Sequence, residues 1–495
     1  MEVAGEAGVL ILLLLLSFLI ISSLKMYQKQ SQLPPGPTPL PFVGNLLQID
    51  FRHLSKSYQK LTKQYGQIFT IWIGPKPMVV LCGYEVVKDA LVNYAEEFGG
   101  QSSQPILETV TKNLGISTRN KKKWKELRRF TLSTMRNFGM GKKSMAERIQ
   151  EEVHCLVEVI ATTKGQAFDP TKMVSAAMSN VICSVLFGRR FDYQDQDLLE
   201  FQSTMENFVV FSATLSGLMF NSIPNVMKYL PGKHKKIHSD CEKLCAFIRK
   251  TIKSHMQILD PQNPSDYVDC FLTRIGKNLN SAGDSYTIED LVMTIFILFL
   301  AGSLSTVHFL LYSLLMMMRF PHIQAKIQQE IDEVIGANLS PGMKDRSRLP
   351  YTNAVIHEIL RYEPNRENFF PRTVTQQTKF RGYIIPQNTT VFPMIISVLF
   401  DPLHWESPNK FNPGHFLNES GEFWKRDAFL PFSLGKNVCP GESLAQMELF
   451  LFFTNLLQKF TFQLTGDHEK TDLSSKWSTF VNKKERFPQI KAVKR

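Results

Sequence analysis

The 495-residue chain is long enough for several domains, but no linker divides it, and its hydrophobic content of 43% is ample for one large core. Its formal net charge of +12 would suit a nucleic acid, an anionic membrane or an acidic protein partner, and composition alone does not choose among them. The seven cysteines are scattered and include no C-x-x-C pair, which argues against a disulfide framework or a zinc cluster and favours a reducing compartment.

Residues 1–30 predict an N-terminal membrane anchor. Residues 7–24 carry no charge and are rich in Leu and Ile, which is the length and composition of a short membrane-spanning helix. A cleaved signal peptide is the rival interpretation, but it needs a positively charged start, and here Glu2 precedes the apolar run and Lys25 follows it. The positive-inside rule then predicts that the bulk of the chain lies in the cytoplasm.

A proline-rich segment over residues 31–44 follows the anchor. Prolines fix φ and lack an N–H donor, so this composition favours a stiff, extended tether over a helix. We expect it to separate the anchor from a single large domain that covers residues 45–495.

That domain is predicted to be mainly α-helical with small β-sheets. Residues 67–82 indicate two short strands on either side of a Gly-Pro-Lys-Pro turn, which predicts a hairpin. Residues 124–250 are chiefly of helical periodicity. Mixed patterns over 375–397 and 460–464 supply a minority of strand.

A long apolar helix is predicted over residues 291–318. Thr287 and Asp290 form a capping box ahead of it. A second membrane span is one interpretation of so apolar a run. Its centre, however, holds a polar cluster that is more typical of a helix facing a buried site in a soluble core. The cluster comprises Gly302, Ser303, Ser305, Thr306 and His308.

The strongest chemical signal is Cys439, which lies in a glycine-containing segment over 432–441, just before an apolar helix over 444–457. The positive end of a helix dipole and its free N–H groups stabilise a thiolate. Such a thiolate can ligate haem iron. A lone cysteine is more commonly a small buried hydrophobic residue, so the interpretation of Cys439 depends on the residues around it.

Those residues resemble the haem-binding loop of the cytochromes P-450, written F-x-x-G-x-R-x-C-x-G. Phe432, Gly435 and Cys439 match it, so the resemblance implies that Cys439 is the metal ligand and that the other two belong to the cofactor-binding loop. Asn437 replaces the family's arginine, which contacts a haem propionate, and the charge-assisted bond expected there is lost. Lys436 beside it is a candidate for a partial substitute.

Further motifs of the family follow in the same order along the chain. Glu358 and Arg361 resemble the E-x-x-R helix, where a spacing of three places both side chains on one face, and His415 is the expected third member. For a single motif of this kind, an exposed surface pair is the alternative. The resemblance also implies three side chains that hold the haem propionates: Trp124, Arg128 and Arg372.

The centre of the long helix resembles the family's oxygen-activating pattern, A-G-x-[DE]-T-[TS]. The resemblance implies that Ala301 contacts the cofactor and that Gly302, with no Cβ, lets oxygen and haem approach the backbone. Ser305 and Thr306 retain hydroxyls that would pass protons to bound oxygen. Leu304 replaces the family's acid and cannot carry a proton.

As a member of this superfamily, most similar to the vertebrate microsomal family-two enzymes, the chain is expected to have the cytochrome P-450 fold behind one transmembrane helix. The implied cofactor is haem b with an axial cysteine thiolate. The implied reaction inserts one oxygen atom from O2 into a lipophilic xenobiotic, fatty acid or steroid. Electrons come from NADPH through the NADPH–cytochrome P-450 reductase, with cytochrome b5 as a further potential partner. The implied location is the cytoplasmic face of the endoplasmic reticulum.

Leu304 and Asn437 keep two other functions open. One is a haem-thiolate isomerase or dehydratase that needs no oxygen activation. The other is a haem-binding carrier or paralogue with little activity. Turnover without NADPH would mark the first, and haem binding without NADPH consumption would mark the second.

One further expectation concerns a set of basic surface residues. Basic residues predict a docking face for an acidic electron-transfer partner, with a plain solvated surface as the alternative. They are Lys121, Lys122, Lys123, Lys125, Arg128, Arg129, Lys142, Lys143 and Lys436. No aromatic platform accompanies them, which argues against nucleic acid.

Apolar segments predict a lipophilic pocket, with Phe369 and Phe370 the strongest candidates. These segments are residues 101–115, 208–220, 296–299, 367–370 and 477–480.

Overall fold

A computed structural model describes the chain over residues 32–41, 43–50, 54–138, 143–278, 286–363, 371–465 and 487–495, with scattered helical positions between 13 and 28. Most of the predicted anchor, Lys142, Phe369, Phe370 and residues 477–480 lie outside the described residues. The elements group into two units. The first comprises Met1–Ser103, Asn365–Lys410 and Asp427–Cys439, and the second comprises Gln104–Pro364, Phe411–Arg426 and Pro440–Arg495.

The first unit is built on a five-stranded sheet. β1 (Ile68–Ile73) and β2 (Lys76–Leu81) pair antiparallel, so the predicted hairpin is confirmed. The remaining strands of the unit are β3 (Gly100–Gln101), β4 (Arg372–Thr373), β5 (Thr378–Phe380), β6 (Tyr383–Ile385) and β7 (Thr390–Pro393), of which β5 and β6 form a separate pair. The strand order of the sheet is β1-β2-β7-β4-β3, and β2 and β7 are parallel neighbours.

Apolar residues from one face of this sheet form a core cluster of the first unit. Tyr58, Phe69, Val80 and Phe392 are all buried in one cluster. The helices of the unit are α1 (Leu54–Tyr65), α2 (Tyr84–Lys88) with a π-helical turn at Asp89–Asn93, and α15 (Ile395–Leu399). The proline-rich segment runs beside β1, where Thr70 N donates a hydrogen bond to the Pro35 carbonyl at 2.9 Å.

The second unit is helical, apart from one two-stranded sheet of β8 (Phe460–Leu464) and β9 (Ile490–Lys494). The predicted strand over 460–464 is therefore confirmed. Its helices are α3 (Pro105–Thr111), α4 (Lys121–Asn137), α5 (Lys143–Ala161), α6 (Thr171–Leu186), α7 (Gln196–Ser212), α8 (Leu215–Ser222), α9 (Pro224–Met227), α10 (Lys233–Ile258), α11 (Tyr267–Asn278), α12 (Ile288–Arg319), α13 (Pro321–Val334), α14 (Pro350–Tyr362) and α16 (Glu442–Lys459).

The long helix α12 is the centre of the second unit. Its predicted capping box is present, because the Thr287 side chain accepts from Asp290 N and the Asp290 side chain accepts from Thr287 N. Among the described helices only α12 is long and apolar enough to cross a membrane, and half of its most apolar stretch is buried. It packs against α6, α10 and α16, which marks it as a core helix.

A short 3₁₀ turn at Gly115–Ser117 is fastened to the first turns of α12. Gly115 N donates to Asp290 Oδ1 at 3.0 Å, and Lys123 Nζ lies 2.8 Å from Asp290 Oδ2. Gly115 has a φ of +63°, and a Cβ there would lie 2.7 Å from Thr294 N. Only glycine allows this approach of the turn to the helix.

Candidate active site

The loop before Cys439 is closed by its own backbone. Cys439 N donates to the Phe432 carbonyl at 2.9 Å, and a 3₁₀ turn at Gly435–Asn437 lies between them. Gly435 has a φ of +74°, and a Cβ at this position would collide with the Leu91 carbonyl oxygen. The glycine is therefore required by the close approach of the loop to the turn that follows α2. Cys439 is the last residue of the first unit, three residues before α16 begins.

Cys439 differs from the other six cysteines, all of which are described, because it is exposed. Burial raises the pKa of Cys82 to about 11, that of Cys241 to about 12 and that of Cys245 to about 11. Burial also raises the pKa of Cys155, Cys183 and Cys270. Those six are held as neutral thiols, so Cys439 is the cysteine best able to present its sulfur to a ligand outside the chain.

Arg372 is held beside the same loop. Its Nη2 donates to the Asn437 carbonyl at 3.3 Å. The Asn437 side chain turns elsewhere, since its Nδ2 donates to the Gly99 carbonyl at 3.2 Å. β3 and β4 place Gln101 opposite Arg372. Lys436, expected as a partial substitute for the missing arginine, instead forms an exposed ion pair with Glu96. Among the described residues, the Arg372 guanidinium is therefore the cation that lies next to position 437.

Trp124 and Arg128 lie on one face of α4, as their spacing of four predicts. The Arg128 guanidinium lies 5.5 Å from the centroid of the Trp124 ring, within the range of a cation–π interaction, and both residues are half-buried. The helix begins at Lys121 because the Asn120 side chain accepts from the backbone N–H groups of Lys122 and Lys123. The pair offers one planar cation and one indole donor on a single face, which suits a carboxylate.

Four residues at the centre of α12 divide between two faces of the helix. Ala301 and Ser305 are exposed although they lie in the middle of a core helix, while Ser303 and Thr306 are buried. A spacing of four places Ala301 and Ser305 one above the other. The small side chains of this open strip, with one hydroxyl, suit a flat, largely apolar group lying against the helix.

Gly302 faces another helix. A Cβ built on Gly302 would lie 3.1 Å from Ile182 Cδ1 on α6. The glycine therefore allows α12 and α6 to pack closely. The sequence suggested a different reason for this glycine, namely the approach of oxygen and haem to the backbone. Its predicted part in the approach of oxygen stays a prediction.

The two neighbouring hydroxyls have different partners. Ser305 Oγ donates to the Ala301 carbonyl at 2.6 Å. Thr306 Oγ1 donates to the carbonyls of Gly302 and Ser303, at 2.8 and 3.0 Å. Both hydroxyl protons are thus donated to carbonyls of the helix backbone. Each hydroxyl oxygen still has lone pairs that can accept a hydrogen bond. The accessible acceptor is Ser305, since Thr306 is buried.

Sequence reasoning missed Glu448 on α16. It is fully buried, and neither of its carboxyl oxygens accepts a hydrogen bond from the described residues. Burial raises its pKa well above the usual value, although the Thr306 hydroxyl lies beside it. Because Thr306 gives its proton to the backbone, a neutral carboxylic acid that donates to Thr306 suits this arrangement. An acid alone in the apolar run over 444–457 was the available signal.

His308 belongs to the polar cluster of α12 and is also uncharged. Burial lowers its pKa to about 4, so the imidazole is neutral at pH 7. It lies three residues after Ser305 and keeps partial exposure. Leu304, which directly precedes Ser305, contributes no proton.

The predicted Glu358 network is confirmed. Arg361 binds Glu358 in a bidentate pair, with Nε–Oε2 and Nη2–Oε1 distances of 2.7 Å, and both side chains are fully buried. His415 Nδ1 lies 3.2 Å from Glu358 Oε1, and Asn412 N donates to the same oxygen at 2.8 Å. The network ties α14 to the segment after Phe411, and the alternative of an exposed surface pair is excluded.

Comparison with known proteins gives a consistent result over nearly the whole chain. The sequence model of the family described as Cytochrome P450 matches residues 34–489. The chain is similar to Cytochrome P450 2C8 of Homo sapiens, at 46% identity over 92% of this chain and 94% of the relative. It is also similar to Cytochrome P450 2C14 of Oryctolagus cuniculus, at 47% identity over 94% and 95%, and to Cytochrome P450 2C23 of Rattus norvegicus, at 45% over 96% and 97%.

Proposed function

This chain belongs to the cytochrome P450 family, and on that premise we propose that Cys439 is the thiolate ligand of its haem iron. Members of the family are haem-thiolate monooxygenases, and the chain acts as one on lipophilic small molecules, with electrons that a reductase takes from NADPH. The observation that carries the proposal is that Cys439 is the exposed thiol in a backbone-closed loop, whereas burial keeps the other six cysteines protonated.

The described residues fit a haem-thiolate cofactor. When bound, the group supplies an iron centre at which oxygen is activated, with electron density from the thiolate. Phe432 and Gly435 shape the loop that presents the sulfur. Arg372 and the pair of Trp124 and Arg128 would hold the anionic propionates, because a guanidinium and an indole N–H are suitable donors to carboxylate. Asn437 leaves this set with one guanidinium fewer than the family pattern has.

For proton delivery we assign the two hydroxyls of α12 different roles. Ser305 Oγ is accessible and accepts and passes protons, while Ala301 beside it leaves room for the cofactor. Thr306, buried between the helix backbone and Glu448, positions this part of α12 and does not itself meet a reacting atom. Gly302 sets the closeness of α12 to α6.

A lipophilic substrate fits the apolar side chains that α3, α7 and α12 contribute to the second unit. Phe208 on α7 and Phe296 on α12 meet edge to face, with ring centroids 6.3 Å apart. Ile106 on α3 is also buried, and no ionised side chain of α12 lies between Leu291 and Met318. Aromatic edges and aliphatic groups favour an uncharged, apolar ligand over a polar one.

We also propose that residues 1–30 anchor the chain in the endoplasmic reticulum membrane as a single span, with residues 31–44 as the tether and 45–495 as the catalytic domain on the cytoplasmic side. The asymmetry of Glu2 before the apolar run and Lys25 after it supports this orientation. Exposed Lys121, Lys122 and Lys125 on α4 are suited to dock an acidic reductase, and cytochrome b5 would meet the same charge.

The testing experiment is a reduced carbon-monoxide difference spectrum of the haem-loaded chain, followed by NADPH consumption with added reductase. We expect a thiolate-type Soret band and substrate-dependent NADPH use in the natural chain, and neither in Cys439→Ala. The control is Cys155→Ala, which should retain both. A thiolate band that persists in Cys439→Ala would refute the assignment.

Leu304 favours one competing function, a haem-thiolate isomerase or dehydratase, because it removes the family's proton-carrying acid. Supplying a lipid peroxide without oxygen, NADPH or reductase separates the two. Turnover under those conditions, with no NADPH-dependent oxidation of any lipophilic substrate, would favour the isomerase.

A further inference from the structure

The open strip of α12 carries a titratable group next to Ser305. His308 lies three residues after Ser305 and seven after Ala301, so the three side chains share one face of the helix, with adjacent Cβ atoms about 5–6 Å apart. Ala301 and Ser305 are exposed and His308 is partly so, although neighbours such as Thr306 and Val307 are buried. The spacing of three thus places an imidazole on the same face as the hydroxyl to which we assign proton transfer.

The geometry of Ser305 calls for a donor on this face. Its own proton is committed to the Ala301 carbonyl at 2.6 Å, so the lone pairs of Oγ point away from that bond and accept. Leu304 cannot donate. Thr306 lies on the other face and its proton is committed to backbone carbonyls.

A neutral imidazole is suited to such a place. It carries one N–H donor and one acceptor nitrogen, so it can give a proton from one nitrogen while the other takes one up. Burial lowers the pKa of His308 to about 4, so a proton passes without a stable positive charge in an apolar helix.

We propose that His308 resupplies protons to Ser305 Oγ and so replaces the acid that position 304 lacks. This inference rests on the monooxygenase function proposed above. In the step, the Ser305 hydroxyl turns away from the Ala301 carbonyl and gives its proton to the reacting oxygen, while an imidazole N–H bond of His308 breaks and that proton is taken up by Ser305 Oγ. His308 then regains a proton from water. No electron moves in this step, because the electrons come from NADPH.

The first test replaces His308 by Gln, with His322→Gln as the matched control. Gln keeps a hydrogen-bonding side chain of similar reach but cannot exchange a proton between two nitrogens. His322 is exposed on α13, away from the open strip. We expect product formed per NADPH consumed to fall about tenfold or more in His308→Gln, with the remaining electrons released as peroxide, and to be unchanged in His322→Gln.

The second test restores an acid. In the double variant Leu304→Glu with His308→Gln, we expect product per NADPH to recover most of the lost yield. A readout independent of turnover is the infrared C–O stretch of the reduced, carbon-monoxide-bound protein. We expect its frequency to change in His308→Gln and to remain in His322→Gln.

Normal coupling in His308→Gln would overturn the inference, because an amide cannot relay protons. Lost coupling that Leu304→Glu does not restore, with an unchanged C–O stretch, would assign His308 a packing role and would also overturn it. The proposed function fails separately, and only if the natural chain itself shows no thiolate-type band with carbon monoxide.

Discussion

Two buried glutamates of the second unit have opposite surroundings. Glu358 on α14 receives a bidentate guanidinium, an imidazole and a backbone N–H. Glu448 on α16 accepts no hydrogen bond from the described residues, and burial raises its pKa well above the usual value. Both are essentially inaccessible to solvent.

The difference shows how one side chain type serves two purposes. A carboxylate remains charged in the interior only when donors replace the water it has lost, and Glu358 has them. Glu448 has none, so it persists as a neutral acid beside Thr306. The first glutamate fixes the fold around α14, whereas the second adds a polar but uncharged group next to α12. The following variants and conditions test this distinction, in order of decreasing effect.

Arg361→Ala should have the largest effect. It leaves Glu358 buried without its main cation, and we expect the free energy of unfolding to fall by about 3–5 kcal/mol. Urea titration followed by far-UV circular dichroism measures it. The control is Lys143→Ala, which removes an exposed i,i+4 pair with Glu147 and should cost less than about 1 kcal/mol. Equal losses in the two variants would contradict the role given to burial.

Asp290→Ala should come second. Asp290 is buried and accepts from Gly115 N, Thr287 N and the Thr287 hydroxyl, and it pairs with Lys123. We expect a loss of about 2–3 kcal/mol in the free energy of unfolding, because a helix cap and the 3₁₀ turn lose their shared acceptor. Glu289→Ala, at the adjacent half-exposed position, is the control and should lose less than half as much.

Alkaline pH should have the third-largest effect on stability, through the deprotonation of His255. The imidazole Nε2 lies 2.9 Å from buried Asp266 Oδ2, and this hydrogen bond raises the pKa of His255 to about 9. A raised pKa stabilises the fold fully below the unfolded value near 6.5, and this contribution is lost as pH rises through 9. We expect about 2–3 kcal/mol of stability to disappear between pH 6.5 and 9.5. Stability measured in His255→Gln should lose this dependence, and an unchanged slope would contradict the ion pair.

Glu448→Gln should have the smallest effect. A neutral amide replaces an acid that is already neutral, so we expect the free energy of unfolding to change by less than about 1 kcal/mol. Glu358→Gln is the matched comparison and should cost several times as much, since it removes the charge that Arg361 requires. A large loss in Glu448→Gln would mean that Glu448 is ionised and has a partner outside the described residues.

The parts of the site that follow a local pattern could be predicted. The capping box of Thr287 and Asp290, the i,i+3 pair of Glu358 and Arg361 and the hairpin of β1 and β2 all depend on residues within a few positions of each other. The partners of Asn437 and Lys436 could not be predicted. Gly99 and Glu96 are more than 300 residues distant in the sequence, so only the folded chain brings them to the loop.

The amino-acid sequence alone identifies the chemical groups of the site: a thiol in a glycine-containing loop, paired hydroxyls in a long helix, and a missing acid at Leu304. The tertiary structure alone decided which of these groups are usable. It exposes Cys439 and removes the other cysteines from solvent. On α12 it places Ser305 and His308 on the open strip, and it places Thr306 next to Glu448. The physical reason is that reactivity depends on burial and on hydrogen-bond partners, and both are set by segments far apart in the chain.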